Sequence, residues 1–511
     1  MNTTVRESWL GKIYGAWTES AVFSLLRRIY RAVRSACAGS LILRGILGEG
    51  SAENCFRNSF AAGLIRRICA LLLSLLSHGK NLYVAAENSA FLHAVRGSRL
   101  SFLVGFEGLF GAFLTVMFIT PHKYWNNLYT VIAAFVFLLL YFFLVAIGKR
   151  EWVSPETYGM GWLFFAFALV FSLGFSPIPQ DSFRILLFFF ASFSLFYVIA
   201  SDFRDGERLR RLLAFLYVAL LVVSLYGVVQ HAFHLVKASS SYTDLTLNVG
   251  VPGRVYSTLD NPNNLSEFVL MFLPLGAAFS AGAEKTWQRV ALASGLVIPA
   301  LALLYTYSRA GWLAIVLAAV VFTYCCNRRL IPVLFVAGLL LLPFLPASVM
   351  TRLSTIGNTA DSSTNHRFDI WRGILSLLRD HDRFFTGIGL GPQAFRRVYP
   401  FYSVGSAKIG AYHSQMHYLE LVLETGILGL LSFLYLMCKS VGRAAGALAK
   451  TKGRERLILV AGLSSVAALA FVGLVEYIWF YQRMMFAFFI FMGIFLAATE
   501  TEPCQECKKR I

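Results

Sequence analysis

From Leu128 to Gly148 the chain reads LYTVIAAFVFLLLYFFLVAIG, and Lys149 and Arg150 follow at once. No charge interrupts the run, and it is long enough to cross the hydrocarbon core of a bilayer as a helix. In lipid, every backbone N–H and C=O must find a partner without water, which leaves α-helices and closed β-barrels. An unbroken apolar run of this length reads as a helix. The basic pair at its end marks a side, because connections facing the cytoplasm collect Lys and Arg.

Working outward, comparable runs recur from residue 102 onward. Twelve spans are expected, near 102–120, 128–148, 158–175, 185–200, 212–230, 265–282, 290–307, 311–326, 330–347, 418–438, 457–475 and 480–498. The expected fold is therefore all-α and polytopic, with about 12 transmembrane helices. Composition agrees: of 511 residues 57% are hydrophobic, 15% aromatic and only 14% charged. A soluble domain carries more charge than that.

The formal net charge of +19 raises the question of nucleic acid, but its distribution answers otherwise. Basic residues gather at alternate connections: Lys149-Arg150; Arg204, Arg208, Arg210 and Arg211; Lys285 and Arg289; Arg328-Arg329; Lys439 to Arg456. That alternation is the mark of cytoplasmic connections. It places both termini in the cytoplasm, with an even number of spans, and predicts a bilayer and no nucleic acid as partner. Cys37, Cys55, Cys69, Cys504 and Cys507 fall in predicted cytoplasmic segments, and Cys325, Cys326 and Cys438 at cytoplasmic helix ends. No disulfide framework is implied. Cys504 and Cys507 alone are a weak metal or redox signal.

Residues 1–100 read as a cytoplasmic basic amphipathic extension, and 101–511 as the polytopic domain. Val22, Leu25, Leu26, Ile29 and Val33 recur at helical spacing with Arg27, Arg28, Arg31 and Arg34 on the remaining surface, the pattern of a helix lying on an anionic leaflet. Ile68–Leu76 is apolar but too short to span. No signal-peptidase site follows either stretch.

One connection stands apart. Residues 347–417, between the ninth and tenth spans, form a long external loop, far beyond the usual length of a connector. Counting spans puts Arg254 and Arg309 at the same external face. Arg254 opens a string running to Asn261-Pro262-Asn263-Asn264, a defined turn in which Asn bonds to nearby backbone and Pro fixes φ. By itself this string is equally well a turn and a helix start. Arg309 lies in Tyr307-Ser308-Arg309-Ala310-Gly311, where positive charge is disfavoured. An arginine at membrane depth faces a polar cavity or an anion, unless it snorkels to the interface. Its planar fork suits phosphate oxygens.

Inside the loop, Asn365 to Arg372 reads as the start of an amphipathic helix, and Gly387-Ile388-Gly389-Leu390-Gly391 as a turn. Arginines outnumber acids: Arg352, Arg367, Arg372, Arg379, Arg383, Arg396 and Arg397. His413, His417, Glu420 and Glu424 are spaced 4, 3 and 4 apart and share one helical face entering the tenth span. A neutral histidine can accept a proton from a hydroxyl, and a carboxylate can orient it. The glutamates also suit a helix amino end electrostatically. No ligand set at zinc-like spacing accompanies the histidines, so neither metal nor cofactor is expected.

These segments resemble the O-antigen ligase and polymerase family of bacterial membrane proteins over about residues 102–500. The resemblance rests on Arg254 with Asn261-Pro262-Asn263; on Ser308-Arg309-Ala310; on Arg367 and Trp371 followed by Gly387, Gly389, Phe395 and Tyr399; and on the stretch His413 to Gly426. Ser257 and Leu259 stand where the family more often has Gly and Phe. Gln415-Met416 replaces a common His-Asn, which leaves the essential histidine as His413 or His417, with His413 favoured.

The resemblance implies metal-independent, inverting glycosyl transfer at the external face of the bacterial inner membrane. The donor would be a glycan on undecaprenyl diphosphate, and the acceptor a sugar hydroxyl of a glycan or glycolipid. Arg254 and Arg309 would hold the diphosphate, His413 would activate the hydroxyl, and Glu420 or Glu424 would orient that histidine. Arg367 would be a secondary contact, with His417, Asn261 and Asn263 among the substrate-binding residues. A repeat-unit polymerase would use the same groups. A flippase would instead show related halves and a charged central path, and no internal repeat is evident.

Overall fold

The computed structural model describes residues 15–19, 24, 27, 28, 31, 35, 51–89, 97, 98, 103, 105–239, 251–355, 362–380, 382–408 and 411–500. Most of the amphipathic pattern at 22–34, and Cys37, Cys504 and Cys507, lie outside them. Among the described residues there is helix and no strand. The longer helices are α1 Phe60–Ser77, α2 Phe106–Ile119, α3 Asn127–Ala146, α4 Met160–Leu173, α5 Pro179–Asp202, α6 Gly206–Ala232, α7 Pro262–Ala281, α8 Thr286–Tyr305, α9 Arg309–Phe344, α10 Ser362–Arg379, α11 His417–Lys450, α12 Gly453–Val472 and α13 Gln482–Thr499.

Ten of these are long and apolar enough to cross a membrane, against the twelve spans expected. Three differences account for the change. α2 and α4 are apolar but shorter, the eighth and ninth expected spans run together as α9, and α1 qualifies by length although Ile68–Leu76 alone does not. A polytopic all-α membrane protein is what the helices describe.

Local chemistry sets the helix starts. Asn126, Asp205 and Asn261 each accept a backbone N–H of the first turn, at Leu128, at Glu207 and Arg208, and at Asn263, the caps these residue types favour. Pro179 and Pro262 open α5 and α7, where a missing N–H costs nothing.

α13 runs through the middle, almost wholly buried, with α5 along one side. Small residues let the backbones approach, as membrane helices require: a Cβ on Gly493 would lie 2.9 Å from Cβ of Ile199, and one on Gly462 would strike the Phe495 ring. α7 and α9 pack on α12, α2 on α6, and α4 on α11.

Two ends of the bundle can be told apart by their contacts. At one, Arg150 pairs with Glu107 at 2.5 Å and Asp202 at 3.2 Å, Arg208 with Asp202, and Arg454 with Glu284. This is the basic end. At the other, the Arg483 guanidinium donates to the carbonyls of Thr120 and Thr258, Gln230 binds the Ser257 backbone, and Ser182 donates to the Leu390 carbonyl. The long loop sits there. It is largely helical and not an open connector. Ile370, Ile374, Leu377 and Leu378 of α10 form a small core with Ile388, Phe395 and Tyr399, seated on Val422 and Leu423 of α11.

Candidate active site

The turn before α11 is held from several directions. The Ser414 N–H donates to the Glu420 carboxylate at 2.5 Å, its carbonyl accepts from Trp371 Nε1 at 2.8 Å, and its hydroxyl donates to the Met416 carbonyl. Gln415 follows in the left-handed region at φ 59°, uncommon for a residue with a side chain. That conformation turns the Gln415 N–H back onto Nδ1 of His413, at 3.1 Å. A neutral imidazole whose Nδ1 accepts carries its proton on Nε2. The ring lies beside Phe480 and Tyr477, with centroids 4.3 and 5.7 Å away. Desolvation first, then the Arg367 charge, lower its pKa to about 3, so it is neutral at physiological pH.

Glu420 therefore acts on the backbone beside His413 and not on the ring. Glu424, one turn on, accepts the Gly391 N–H at 2.8 Å and the Tyr477 hydroxyl at 3.2 Å. It ties the glycine turn to the helix. His417 is buried, its ring packed on Trp479 at 4.4 Å and Phe433 at 5.2 Å, and neither ring nitrogen has a hydrogen-bond partner. It stands behind Tyr477, inside the aromatic wall.

The arginines converge. Arg254 is buried, and its Nε donates to the Thr306 carbonyl and one Nη to Asn263 Oδ1, both at 2.7 Å. Asn261 caps the helix that carries Asn263, so the Asn-Pro-Asn turn serves to aim Arg254. Ser308 caps α9, its hydroxyl accepting the Gly311 N–H. Arg309, the first residue of that helix, sits where a positive charge opposes the helix dipole. It donates to the carbonyl and hydroxyl of Thr355 at 2.9 and 3.1 Å. Tyr307, at φ 51°, forms the bend before it, and its carbonyl accepts from buried Arg352. Arg367 donates to Glu476 at 2.5 Å. Burial first, and then the like charges of Arg352, Arg367 and Arg309 opposed by Glu476, lower the Arg254 pKa to about 9, and it stays charged at neutral pH.

Of the site residues read from the sequence, Arg254, Arg309 and Arg367 come together. His413 lies near enough to feel the Arg367 charge. Asn261, Asn263, Glu420 and Glu424 hold the frame. Arg372 points to solvent, Arg383 reaches back to the Phe175 carbonyl, and Arg396 lies over Tyr412. Sequence reasoning did not single out Arg352, and it missed the connection Gly473–Tyr481, which supplies Glu476, Tyr477 and Phe480. The signal was present as Glu476, a carboxylate in an otherwise apolar run on the arginine side. Among the described residues no group of three or more His, Cys, Asp or Glu side chains could hold a metal ion.

Residues 294–434 match the family model described as O-antigen ligase. The matched stretch holds Arg309, Arg352, Arg367, His413, Glu420 and Glu424, while Arg254 and Glu476 enter from either side of it. No curated protein matches the chain. The family match supports assigning the chain to the O-antigen ligase and polymerase family.

Proposed function

We propose, from this family assignment and the cluster of Arg254, Arg309, Arg352 and Arg367 beside His413, that the chain is a metal-independent glycosyltransferase of the O-antigen ligase type. The donor is a glycan on undecaprenyl diphosphate and the acceptor a sugar hydroxyl, joined with inversion at the face carrying the long loop. That face is the outer side of the cytoplasmic membrane, with both termini inside.

The single observation that carries the reading is the arginine cluster. Arg254 feels three like charges opposed by Glu476, an arrangement favourable around a diphosphate, whose oxygens suit guanidinium groups. Guanidinium groups fixed by Thr306, Asn263 and Thr355 are preorganised for the charge that grows on the leaving oxygen. In the transfer the bond from the anomeric carbon to acceptor oxygen forms as the bond to phosphate breaks. The acceptor proton passes to water or to the departing diphosphate. His413 meets the reacting oxygens through Nε2. The Gln415 N–H on Nδ1 favours the tautomer that carries its proton on Nε2, and this supports His413 as a hydrogen-bond donor to those oxygens rather than as the base.

The test gives purified protein a lipid-diphosphate glycan and candidate acceptors without divalent metal, comparing wild type with Arg309→Ala and His413→Ala. Product from wild type, and a loss of about 100-fold or more in each variant, is expected for groups that stabilise transition-state charge. Equal product from all three, or none from wild type with any acceptor, overturns the reading.

A further inference from the structure

We infer that α1 does not cross the membrane but lies flat in the leaflet at the basic end of the bundle, its free apolar face in the acyl chains. Three faces of the helix carry the argument. Ala62 is buried, and Leu72, Leu73 and Leu76 pack against the bundle core. Arg66, Ser74 and Ser77 are exposed along a second, polar face. Phe60, Leu64, Ile68, Leu71 and Leu75, spaced 4, 4, 3 and 4, form a third stripe that is apolar and uncovered, from 46% exposure at Leu64 to 83% at Phe60. A helix in water would bury that stripe, and a helix spanning lipid would not carry a polar face beside it.

Placement excludes a crossing. Arg66 pairs at 2.6 Å with Glu156, in the connection before α4. Thirteen residues on, a Cβ at Gly79 would touch the ring of Phe143, in the last turn of α3, and Tyr83 packs on the same ring. Glu87 pairs with Lys149 in the connection that follows. Both contacts belong to the basic end, although about 20 Å of helix axis separates them. A helix crossing alongside α3 would bring Gly79 to the far end, near Asn127.

The occupant of the stripe is lipid. It continues the uncovered apolar surface of α3, where Leu139 and Leu140 are exposed. Arg57, Arg66 and Arg67 flank it, all exposed, and suit the phosphates of an anionic leaflet. The length of α1 thus qualifies it as a span, while its contacts assign it to the interface. This inference rests on the fold alone and not on the proposed reaction.

Spin labels test it on the full-length chain, in a background with the native cysteines replaced, reconstituted in nanodiscs of phosphatidylcholine and phosphatidylglycerol. Labels go singly at positions 64, 68, 71, 75, 74 and 77, and accessibility to oxygen and to a water-soluble nickel chelate is read at each. Positions 64, 68, 71 and 75 are expected to favour oxygen at one common shallow depth, while 74 and 77 favour nickel. A depth that grows steadily from 64 to 75 toward the bilayer centre means a span and overturns the inference. Nickel access at all six positions (a helix in water), or access of neither reagent to the apolar stripe (a protein cover), overturns it equally.

Discussion

A histidine that commits Nδ1 to a backbone N–H has one nitrogen left for chemistry, and in the neutral ring that nitrogen carries the proton. His413 is in this position because Gln415 takes a left-handed turn while Glu420 and Trp371 fix Ser414 between them. His413→Gln keeps a donor near Nε2 and removes the basicity; His413→Ala removes both. A donor role predicts that the Gln variant stays within about tenfold of wild type, the scale of one modest hydrogen bond. A base role predicts a loss of about 10²–10⁴ in both. The pH dependence follows from the lowered pKa: the ring stays neutral above about pH 3, so it adds no inflection to kcat/KM between pH 5.5 and 8. A tenfold fall per unit below pH 6.5 would point to an ordinary titrating imidazole. Glu420→Ala leaves the buried Ser414 N–H without its acceptor, costing about 1–3 kcal/mol. That variant should lose kcat with little change in donor KM, because the loss is in the placing of His413.

At the scale of elements, α11 is two helices joined at Gly426, whose φ of 67° no residue with a Cβ adopts readily. The bend lets the glycine turn dock: the Ile388 N–H donates to the Leu423 carbonyl at 2.8 Å, and a Cβ at 426 would stand 2.0 Å from the Phe385 carbonyl oxygen. Gly426→Ala should cost about 3 kcal/mol or more, combining backbone strain with overpacking. Its expected signature is faster proteolysis within 347–417 at unchanged helix content, with activity falling in step. The sequence carried the face of α11 with His417, Glu420 and Glu424, because helical spacing is local; His413, expected on that same face, stands outside the helix in the turn made by Gln415. The sequence did not carry the break at Gly426, which exists only because another segment must fit there. In the same way Glu476 was hidden: hydropathy sums over a window, and one carboxylate between Val475 and Tyr477 does not end an apolar run. The long loop was recognisable by length and arginine content, but its helical build and its core on Val422 and Leu423 depend on contacts far along the chain.

At the scale of the molecule, the arginine cluster draws on four separated segments, and what holds them in one place is the bundle. Arg254 comes from the connection before α7, Arg309 from the start of α9, Arg352 and Arg367 from the loop, and Glu476 closes the group from the connection before α13. Positive-inside counting could bring these connections to one face, since it depends only on charge and span order; it could not rank them. The pair of Arg367 and Glu476 separates two explanations for that assembly. If it merely latches the loop to the bundle, Arg367→Glu with Glu476→Arg restores both fold and activity. If Arg367 also faces the diphosphate, the double variant recovers stability and remains inactive, because its guanidinium now stands on the wrong segment. The coupling measured by the double-mutant cycle in thermal stability is expected at about 1–3 kcal/mol, as for neighbours in one charge network. Transfer from the lipid-diphosphate donor is expected to stay at least 100-fold below wild type. Full recovery of activity in the double variant would reduce Arg367 to a latch and leave Arg254, Arg309 and Arg352 as the anion site.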